Sequence, residues 1–262
     1  MADKQTILTF KRVRIFILMV LLVTVAGGTY IQRNLTANWL RPLVVTIHPV
    51  NGDGKAETRA FIASLGVNEY ASISQFFREE AEAFNLLYAP TINLNIGPEI
   101  STQPPMPPHY SEGRFAIARW SLGLRKWVYD NTDSFGLDAR HVRIFVIYHQ
   151  AQKNQALAHS FGLQKGLIGV VHAFANEHQK DQNKVIIAHE LLHTLGATDK
   201  YEANGMPRFP DGFAEPEKQP LYPQEFAEIM AGRYAVSEEE AQIPASLDQS
   251  VIGPTTAKEI NW

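Results

Sequence analysis

The stretch from Val185 to Asp199 reads VIIAHELLHTLGATD, and the rest of the chain is best interpreted around it. It is an apolar run interrupted by His189, Glu190 and His193. Residues four apart share one face of a helix, so the two imidazoles can reach a single metal ion. Glu190, rotated by about 100°, can reach a water molecule at that ion. The run therefore predicts a mostly buried helix with one functional edge.

The residues after this helix predict a third ligand. Gly196 can adopt the left-handed conformation that ends a helix and reverses the chain, and Asp199 follows shortly after it. A catalytic zinc site needs three protein ligands and one open position for water. We therefore predict Asp199 as the third ligand. The alternatives are glutamates further along the chain: Glu215, Glu217 and Glu225.

Composition limits the groups that can hold a metal. The chain has no cysteine, which excludes zinc fingers, thiol catalysis and a disulfide framework, so His and carboxylates must be the ligands. The formal charge is -3, and the sequence has no cluster of basic residues that would attract nucleic acid to the folded domain. We therefore expect no nucleic-acid partner. The 262 residues, 45% of them hydrophobic, suit one mid-sized domain with an appendage.

The N-terminal part of the chain predicts a membrane anchor. Residues 15–32 carry no charge and would form a helix of about 27 Å, which just crosses a hydrocarbon core of about 30 Å. Residues 1–14 are basic and are predicted to be a cytoplasmic tail, so that everything after the anchor is translocated. The alternative is a cleaved signal peptide, with Ala26, Gly27 and Gly28 forming the processing site.

Residues 33–41 are predicted to be a short linker and residues 42–262 one folded domain. Apolar runs and apolar–polar alternation predict four main strands: 42–47, 91–96, 142–148 and 167–174. An edge strand is predicted near residues 157–163. Helical spacing predicts helices at 69–87 and 112–129, besides the one that holds the histidines. The proline-rich segment 204–223 predicts a long loop, and Pro254 the start of a C-terminal helix.

The segment from His189 to Asp199 resembles the extended zinc signature of the metzincin metallopeptidases. The usual third ligand of that family is His, and Asp at this position resembles the snapalysin-like variant. Residues 228–232, around Met230, resemble the methionine-containing tight turn that metzincins place beneath the metal. The resemblance implies an α+β fold: a twisted mixed sheet with an antiparallel edge strand, a zinc-site helix, the Met-turn and a C-terminal helix. The predicted helix at 112–129 is additional to that plan.

The same resemblance implies a zinc-dependent metalloendopeptidase. One catalytic Zn²⁺ would be held by His189, His193 and Asp199, and Glu190 would act as general base. Because an aspartate adds negative charge, the bound water is expected to be less acidic than with three histidines. Gly196 and Met230 would be structural residues of the site. Two tyrosines are candidate hydrogen-bond donors to the oxyanion, as in some metzincins: Tyr201 and Tyr234.

The expected partners are a protein or peptide substrate, bound extended along the edge strand, and a membrane through residues 15–32. The alternative function is a non-catalytic, membrane-anchored zinc protein that serves as scaffold or adaptor of an envelope complex. A zinc amidase that acts on cell-wall peptides is a third, weaker interpretation. The absence of cysteine and the single anchor favour a bacterial inner-membrane protein with its catalytic domain in the periplasm, and a eukaryotic secretory location is the alternative.

Overall fold

A computed structural model of the chain describes residues 10–36, 38–39, 41–86, 92–132, 141–151 and 157–262. The first part of the predicted basic tail, residues 1–9, lies outside the described residues. The helices are α1 (Phe10–Thr36), α2 (Ala56–Ser64), α3 (Ala71–Ala83), α4 (Gly113–Asn131), α5 (Lys180–Leu195) and α6 (Pro254–Glu259). The main strands are β1 (Leu43–Asn51), β2 (Ile92–Ile96), β3 (His141–His149), β4 (Phe161–Leu163) and β5 (Ile168–Phe174). Four two-residue strands follow: β6 (Ala227–Glu228), β7 (Tyr234–Ala235), β8 (Ala241–Gln242) and β9 (Ser250–Val251).

The fold is mixed α/β, built on a five-stranded sheet of order β2-β1-β3-β5-β4. Strands β1, β2, β3 and β5 are parallel, and β4 pairs antiparallel with β5 at the edge. The central strand β3 is buried without interruption from Val142 to Tyr148, as expected for a strand covered on both faces. The predicted mixed sheet with an antiparallel edge strand is confirmed.

Helices cover both faces of the sheet. The larger core lies on one face, where Ile144 of β3 meets Phe77 of α3 and Leu191 of α5 in one buried cluster. The alternate side chains of β3 point to the other face, where Phe145 joins Leu124 of α4 in a second cluster. Since neighbouring residues of a strand face opposite sides, β3 serves both cores at once. Helix α4, which the sequence predicts in addition to the metzincin plan, thus forms a layer of its own.

Two predicted element bounds need correction, and one helix was missed. The predicted helix 69–87 begins as the 3-10 turn Val67–Tyr70 and continues as α3 only to Ala83. Strand β1 continues past its predicted end at residue 47 and through Pro49. The backbone of Pro49 faces the side where β2 has already ended, so no pairing N–H is needed there. Helix α2 was not predicted, since its nine residues are too short to display a helical repeat.

Helix α1 contains the predicted anchor and exposes apolar side chains such as Phe16, Leu21 and Val23. A search of the described residues finds no helix whose length and apolar character would let it cross a membrane. The predicted linker 33–41 also begins later than expected, because α1 continues to Thr36. No proline or glycine between residues 31 and 36 interrupts the helix.

The predicted long loop is confirmed, and contacts outside its own backbone hold it. No helix or named strand lies between residues 204 and 223. The side chain of Gln224 donates to the carbonyls of Glu215 and Leu221 and accepts from the Glu215 N–H. The Arg208 N–H donates to the Lys200 carbonyl at 2.7 Å. The loop is therefore tied to the segment that carries Asp199.

Candidate metal centre

Helix α5 brings His189 and His193 together. They lie one helical turn apart, and their ring centroids are 4.7 Å apart. Each ring is fixed from behind by a backbone carbonyl: Nδ1 of His189 lies 2.8 Å from the carbonyl oxygen of Ile229, and Nδ1 of His193 lies 2.8 Å from that of Ala197. Two different loops therefore orient the two imidazoles.

These contacts determine the tautomer of each neutral ring. A carbonyl oxygen only accepts hydrogen bonds, so Nδ1 of both His189 and His193 must carry the hydrogen. In a neutral imidazole the other nitrogen, Nε2, then holds a lone pair. Metal-ligating histidines are commonly oriented in this way by a partner behind the ring. Both Nε2 atoms are thus prepared to act as ligands.

Asp199 completes the cluster. Gly196 ends α5 with φ of 110°, and the chain turns back beneath the helix. The Asp199 Oδ1 atom lies 3.3 Å from Nε2 of His189 and 3.1 Å from Nε2 of His193. The ligand atoms of the three residues all lie within 4.8 Å of one another. Across the described part of the chain, this is the group of three or more ligating side chains that could hold a metal ion.

The glutamates considered as alternative third ligands lie elsewhere. Glu215 and Glu225 both form ion pairs with Lys218, at 3.5 Å and 2.9 Å. Glu217 lies exposed in the same loop. The structure therefore places Asp199, and none of these glutamates, with the two histidines.

The three groups influence one another's protonation. Burial of Asp199 opposes its ionisation, but the close contacts with the His189 and His193 imidazoles outweigh burial and hold the pKa of its carboxyl far below the usual range. Burial likewise disfavours a charged His193, yet the contact with Asp199 raises the pKa of that imidazole. Without a metal ion, a proton on His193 therefore supplies the positive charge that stabilises the Asp199 carboxylate.

Glu190 lies beside the cluster with an unused acceptor. The residue is 5% exposed, and its Oε2 atom has no hydrogen-bond partner among the residues that the structure describes. Burial raises its pKa, while the nearby His189 and His193 oppose that shift. A buried carboxyl group with a raised pKa and a free oxygen suits proton transfer.

The turn around Met230 supports the cluster from below. Met230 is fully buried in the 3-10 turn Ile229–Ala231, which ends at Gly232 with φ of 69°. The Ile229 carbonyl accepts from His189, and the Met230 carbonyl accepts from the Lys200 N–H at 2.9 Å. One turn thus holds both His189 and the segment next to Asp199.

Glu228 is a structural residue of the site that the sequence did not reveal. Its fully buried carboxylate accepts from the Ala231 N–H at 3.0 Å, the Gly253 N–H at 3.1 Å and the Thr256 hydroxyl at 2.6 Å. Burial raises its pKa against these hydrogen bonds. Glu228 therefore ties the Met230 turn to the start of α6. An acidic residue between the apolar Ala227 and Ile229 is the signal that could have revealed it.

A second unpredicted network fixes the backbone on both sides of Asp199. Lys200 is 1% exposed, and its Nζ atom donates to the Thr198 carbonyl at 2.7 Å and pairs with Glu259 at 2.8 Å. The Glu259 carboxylate also accepts from the N–H and the hydroxyl of Thr198, at 2.9 Å and 2.7 Å. The C-terminal helix α6 thereby holds both neighbours of Asp199 in place.

We expect Glu259→Gln to destabilise the fold by about 3 kcal/mol, because it leaves the buried Lys200 ammonium without its charge partner. Denaturant unfolding followed by tryptophan fluorescence measures the change. The matched control is Glu215→Gln, whose partner Lys218 is solvated, and we expect little effect there. Equal losses in both variants would contradict the clamp.

The two candidate tyrosines differ in position. The Tyr201 hydroxyl is hydrogen-bonded to Asp199, and burial followed by the charge of Asp199 raises its pKa to about 12. The Tyr234 hydroxyl donates to the side chain of Gln242 at 3.1 Å, across the β7–β8 pair. The structure therefore brings Tyr201 to the cluster and engages Tyr234 elsewhere.

The edge strand β4 passes close to α5. A Cβ atom built on Gly162 would lie 2.3 Å from the Glu190 carbonyl oxygen and 2.6 Å from the His193 Cβ atom. No other residue type fits there without displacing the strand or the helix. The cluster is therefore bordered by a strand that, among the described residues, pairs on one side only.

We expect Gly162→Ala to destabilise the fold by about 1–3 kcal/mol, because its methyl group would force β4 away from α5. Thermal unfolding measures this. Gly66→Ala is the control, since an added Cβ there meets nothing within 4 Å. If Gly162→Ala unfolds like the control, the close approach of strand and helix is wrong.

A second histidine pair lies within the sheet and is separate from the cluster. His149 Nε2 and His172 Nδ1 are 3.2 Å apart, on β3 and β5. Burial, followed by the neighbouring His149, lowers the pKa of His172 to about 4, so the ring is neutral at neutral pH. The pair adds no third ligating side chain in the described residues.

Compared with known proteins, the chain matches no family model and no curated relative. The fold and the cluster together define a mixed α/β protein with a His-His-Asp group that could hold a metal ion.

Proposed function

We propose that the chain is a zinc-dependent metalloendopeptidase of metzincin type. The observation that supports this most strongly is the convergence of two imidazole Nε2 atoms and one carboxylate oxygen next to buried Glu190, whose Oε2 atom has no hydrogen-bond partner in the described residues. The mixed sheet with its antiparallel edge strand and the buried turn at Met230 agree with the metzincin plan.

The donor set fits a zinc ion. Two ligands of a tetrahedral zinc at about 2.0–2.1 Å lie about 3.3 Å from each other. Oδ1 of Asp199 lies 3.3 Å and 3.1 Å from the two Nε2 atoms, which is this separation. The three atoms carry lone pairs when both rings are neutral, so a cation between them would relieve their mutual repulsion.

His189, His193 and Asp199 would hold the ion. When bound, zinc would act as a Lewis acid that makes a water molecule more acidic and polarises a peptide carbonyl. Glu190 would accept the proton of the attacking water at Oε2 and pass it to the nitrogen of the leaving amine. Tyr201, kept protonated by its raised pKa, would turn its hydroxyl hydrogen from Asp199 to the oxyanion and donate a hydrogen bond there.

The substrate class follows from the edge strand. Strand β4 pairs with β5 on one side, and its Gly162 lies against the helix that carries His193. An extended peptide can add to such an edge through backbone hydrogen bonds, which recognises polypeptide without requiring one particular sequence. The proposed substrates are therefore extended segments of protein or peptide.

Catalysis is favoured over a scaffold role by the number of ligands. A structural zinc site is closed by four protein ligands. The cluster offers three, and Glu190 lies beside it with an Oε2 atom that has no hydrogen-bond partner in the described part of the chain.

Membrane attachment through residues 15–32, with the domain in the bacterial periplasm, stays a prediction. Protease protection of the C-terminal domain in intact cells tests it.

Purified full-length protein tests the proposed function. We expect one equivalent of zinc, hydrolysis of an unfolded protein substrate, loss of hydrolysis after chelation and recovery when zinc is added back. A hydroxamate should inhibit, because it requires an open coordination position. Stoichiometric zinc without hydrolysis or hydroxamate binding would favour the scaffold instead.

We expect zinc affinity to rise with pH. The contact with Asp199 raises the pKa of His193 against the effect of burial, so at low pH a proton occupies the position of the metal and must leave on binding. Affinity should change by about tenfold per pH unit below this pKa and level off above it. Competition with a chelating dye measures the zinc affinity in mildly acidic and in mildly alkaline buffer. An affinity independent of pH would contradict the assigned ligands.

A further inference from the structure

The outward face of α4 carries a stripe of exposed apolar side chains. Helix α4 packs Leu124 and Val128 onto the sheet. On the opposite side Phe115, Leu122 and Tyr129 are 86%, 69% and 55% exposed. They are spaced seven residues apart, so they form one line along the helix. Exposing such a line of apolar side chains to water is unfavourable unless another surface covers it.

The apolar surface extends beyond the helix. Met106, in the preceding proline-rich loop, is 76% exposed and lines a groove together with Arg119 and Trp120. The Trp120 indole N–H donates to the Pro105 carbonyl at 2.8 Å, which fixes this loop against α4. Loop and helix therefore form one continuous surface, which we name the α4 face: Met106, Phe115, Leu122 and Tyr129 with the cations beside them.

The charges beside this stripe are predominantly positive, since only Glu112 in the groove and Asp130, which pairs with Lys126, oppose the cations. Residues 113–129 contain no acidic residue, although the whole chain has a formal charge of -3. They contain four cations: Arg114, Arg119, Arg125 and Lys126. Lys126 pairs with Asp130, and Arg125 donates to the Lys165 carbonyl. Arg114 and Arg119 are exposed and form no ion pair with any residue of the described ranges. Two guanidinium groups are thus available to an anionic partner.

We propose that the α4 face docks on an anionic lipid surface. Aromatic and aliphatic side chains in line, flanked by arginine and lysine, are the pattern of helices that lie in the membrane interface. The apolar side chains would enter the headgroup region, and the cations would bind lipid phosphates. The exposed apolar side chains of α1, such as Phe16, give the same chain a second surface of this kind. The proposal does not depend on peptidase activity.

Docking in this orientation would also place the edge strand β4 near the lipid surface. Trp120 packs edge to face against Phe161 of β4, with ring centroids 5.4 Å apart. The edge strand is therefore next to α4, and a lipid surface on the α4 face would lie beside the proposed path of the substrate. Segments of polypeptide at the membrane surface would then reach the cluster most readily.

The absence of cysteine allows a direct test with full-length protein in lipid vesicles. Leu122→Cys would carry a single environment-sensitive fluorophore, and Glu238→Cys, exposed near the β7–β8 pair, is the control. With about one third anionic lipid, the label at 122 should shift to shorter wavelength and be quenched by a lipid-resident quencher. The label at 238 should respond to a water-soluble quencher only.

Charge variants separate lipid docking from self-association of the chain. Arg114→Gln with Arg119→Gln should lower the lipid-quenched fraction at 122 by about fivefold or more, as should purely zwitterionic vesicles. Equal water accessibility at 122 and 238 would overturn the proposal. A spectral shift without lipid, together with dimers in light scattering, would instead make the α4 face a contact between copies and overturn it as well.

Discussion

Replacement of Glu190 by glutamine should abolish peptide hydrolysis and leave the zinc content unchanged. The variant keeps the shape of the side chain but cannot accept a proton, and general-base catalysis contributes about 10²–10⁴-fold to a rate. Glu190 is buried beside the cluster and is not one of its three ligating residues, so the metal should remain. The rate of substrate cleavage and the zinc-to-protein ratio, measured on the same preparation, check this prediction.

The control for this variant is Glu177→Gln, an exposed change at the turn before α5 that should not alter the rate. Glu190→Asp should recover a small part of the activity, because it restores a carboxylate at a greater distance. Undiminished hydrolysis by Glu190→Gln would exclude the proposed role of Glu190. Loss of zinc in that variant would show instead that the carboxylate holds the ion.

Replacement of Asp199 by alanine should weaken zinc binding by more than about 100-fold. Outer partners of metal ligands contribute about 10–100-fold to affinity, and loss of a ligand should cost more. The Asp199 Oδ1 atom is the group that closes the triangle with the two Nε2 atoms. Calorimetric titration of metal-free protein with zinc measures the change.

Glu215→Ala is the matched control for this second variant, because Glu215 is an alternative ligand that pairs with Lys218 instead. It should keep full zinc affinity. Asp199→His should also retain zinc and should move the acidic limb of the pH–rate profile to lower pH, since the bound water loses a neighbouring negative charge. Full zinc affinity in Asp199→Ala together with loss in Glu215→Ala would assign the ligand to the loop.

The ligand cluster could be predicted from sequence because its geometry is local. His189, Glu190 and His193 occupy consecutive turns of one helix, and Asp199 follows a single glycine bend, so the helical period and the conformation of Gly196 decide their positions. The strands were predictable for a similar reason, since residues such as Val142 to Tyr148 form an apolar run that only a covered strand accommodates.

The residues that hold the cluster in place could not be predicted in this way. Lys200 and Glu259 are 59 residues apart, and Glu228 and Thr256 are 28 residues apart. Neither pair has a local period, and each is brought together only when α6 packs beneath the Met230 turn. The sequence likewise could not decide which of Tyr201 and Tyr234 lies at the cluster, because the position of Tyr234 depends on the tertiary pairing of β7 with β8.

The network around the cluster also suits a short aspartate to the proposed role of ligand. Its neighbours Thr198 and Lys200 are fixed by Glu259, and the Met230 carbonyl holds the Lys200 N–H. The backbone of Asp199 is therefore constrained on both sides before any metal binds. A ligand preorganised in this way loses little conformational entropy on binding.

X-ray absorption at the zinc edge of full-length protein loaded with one equivalent of zinc tests the central claim most directly. We predict a single site with two imidazole nitrogens and one carboxylate oxygen at about 2.0–2.1 Å, and one further oxygen from solvent. The imidazole signal should fall by half in His193→Ala. A spectrum without imidazole scattering, or one that His193→Ala leaves unchanged, would contradict the metal centre and the peptidase function derived from it.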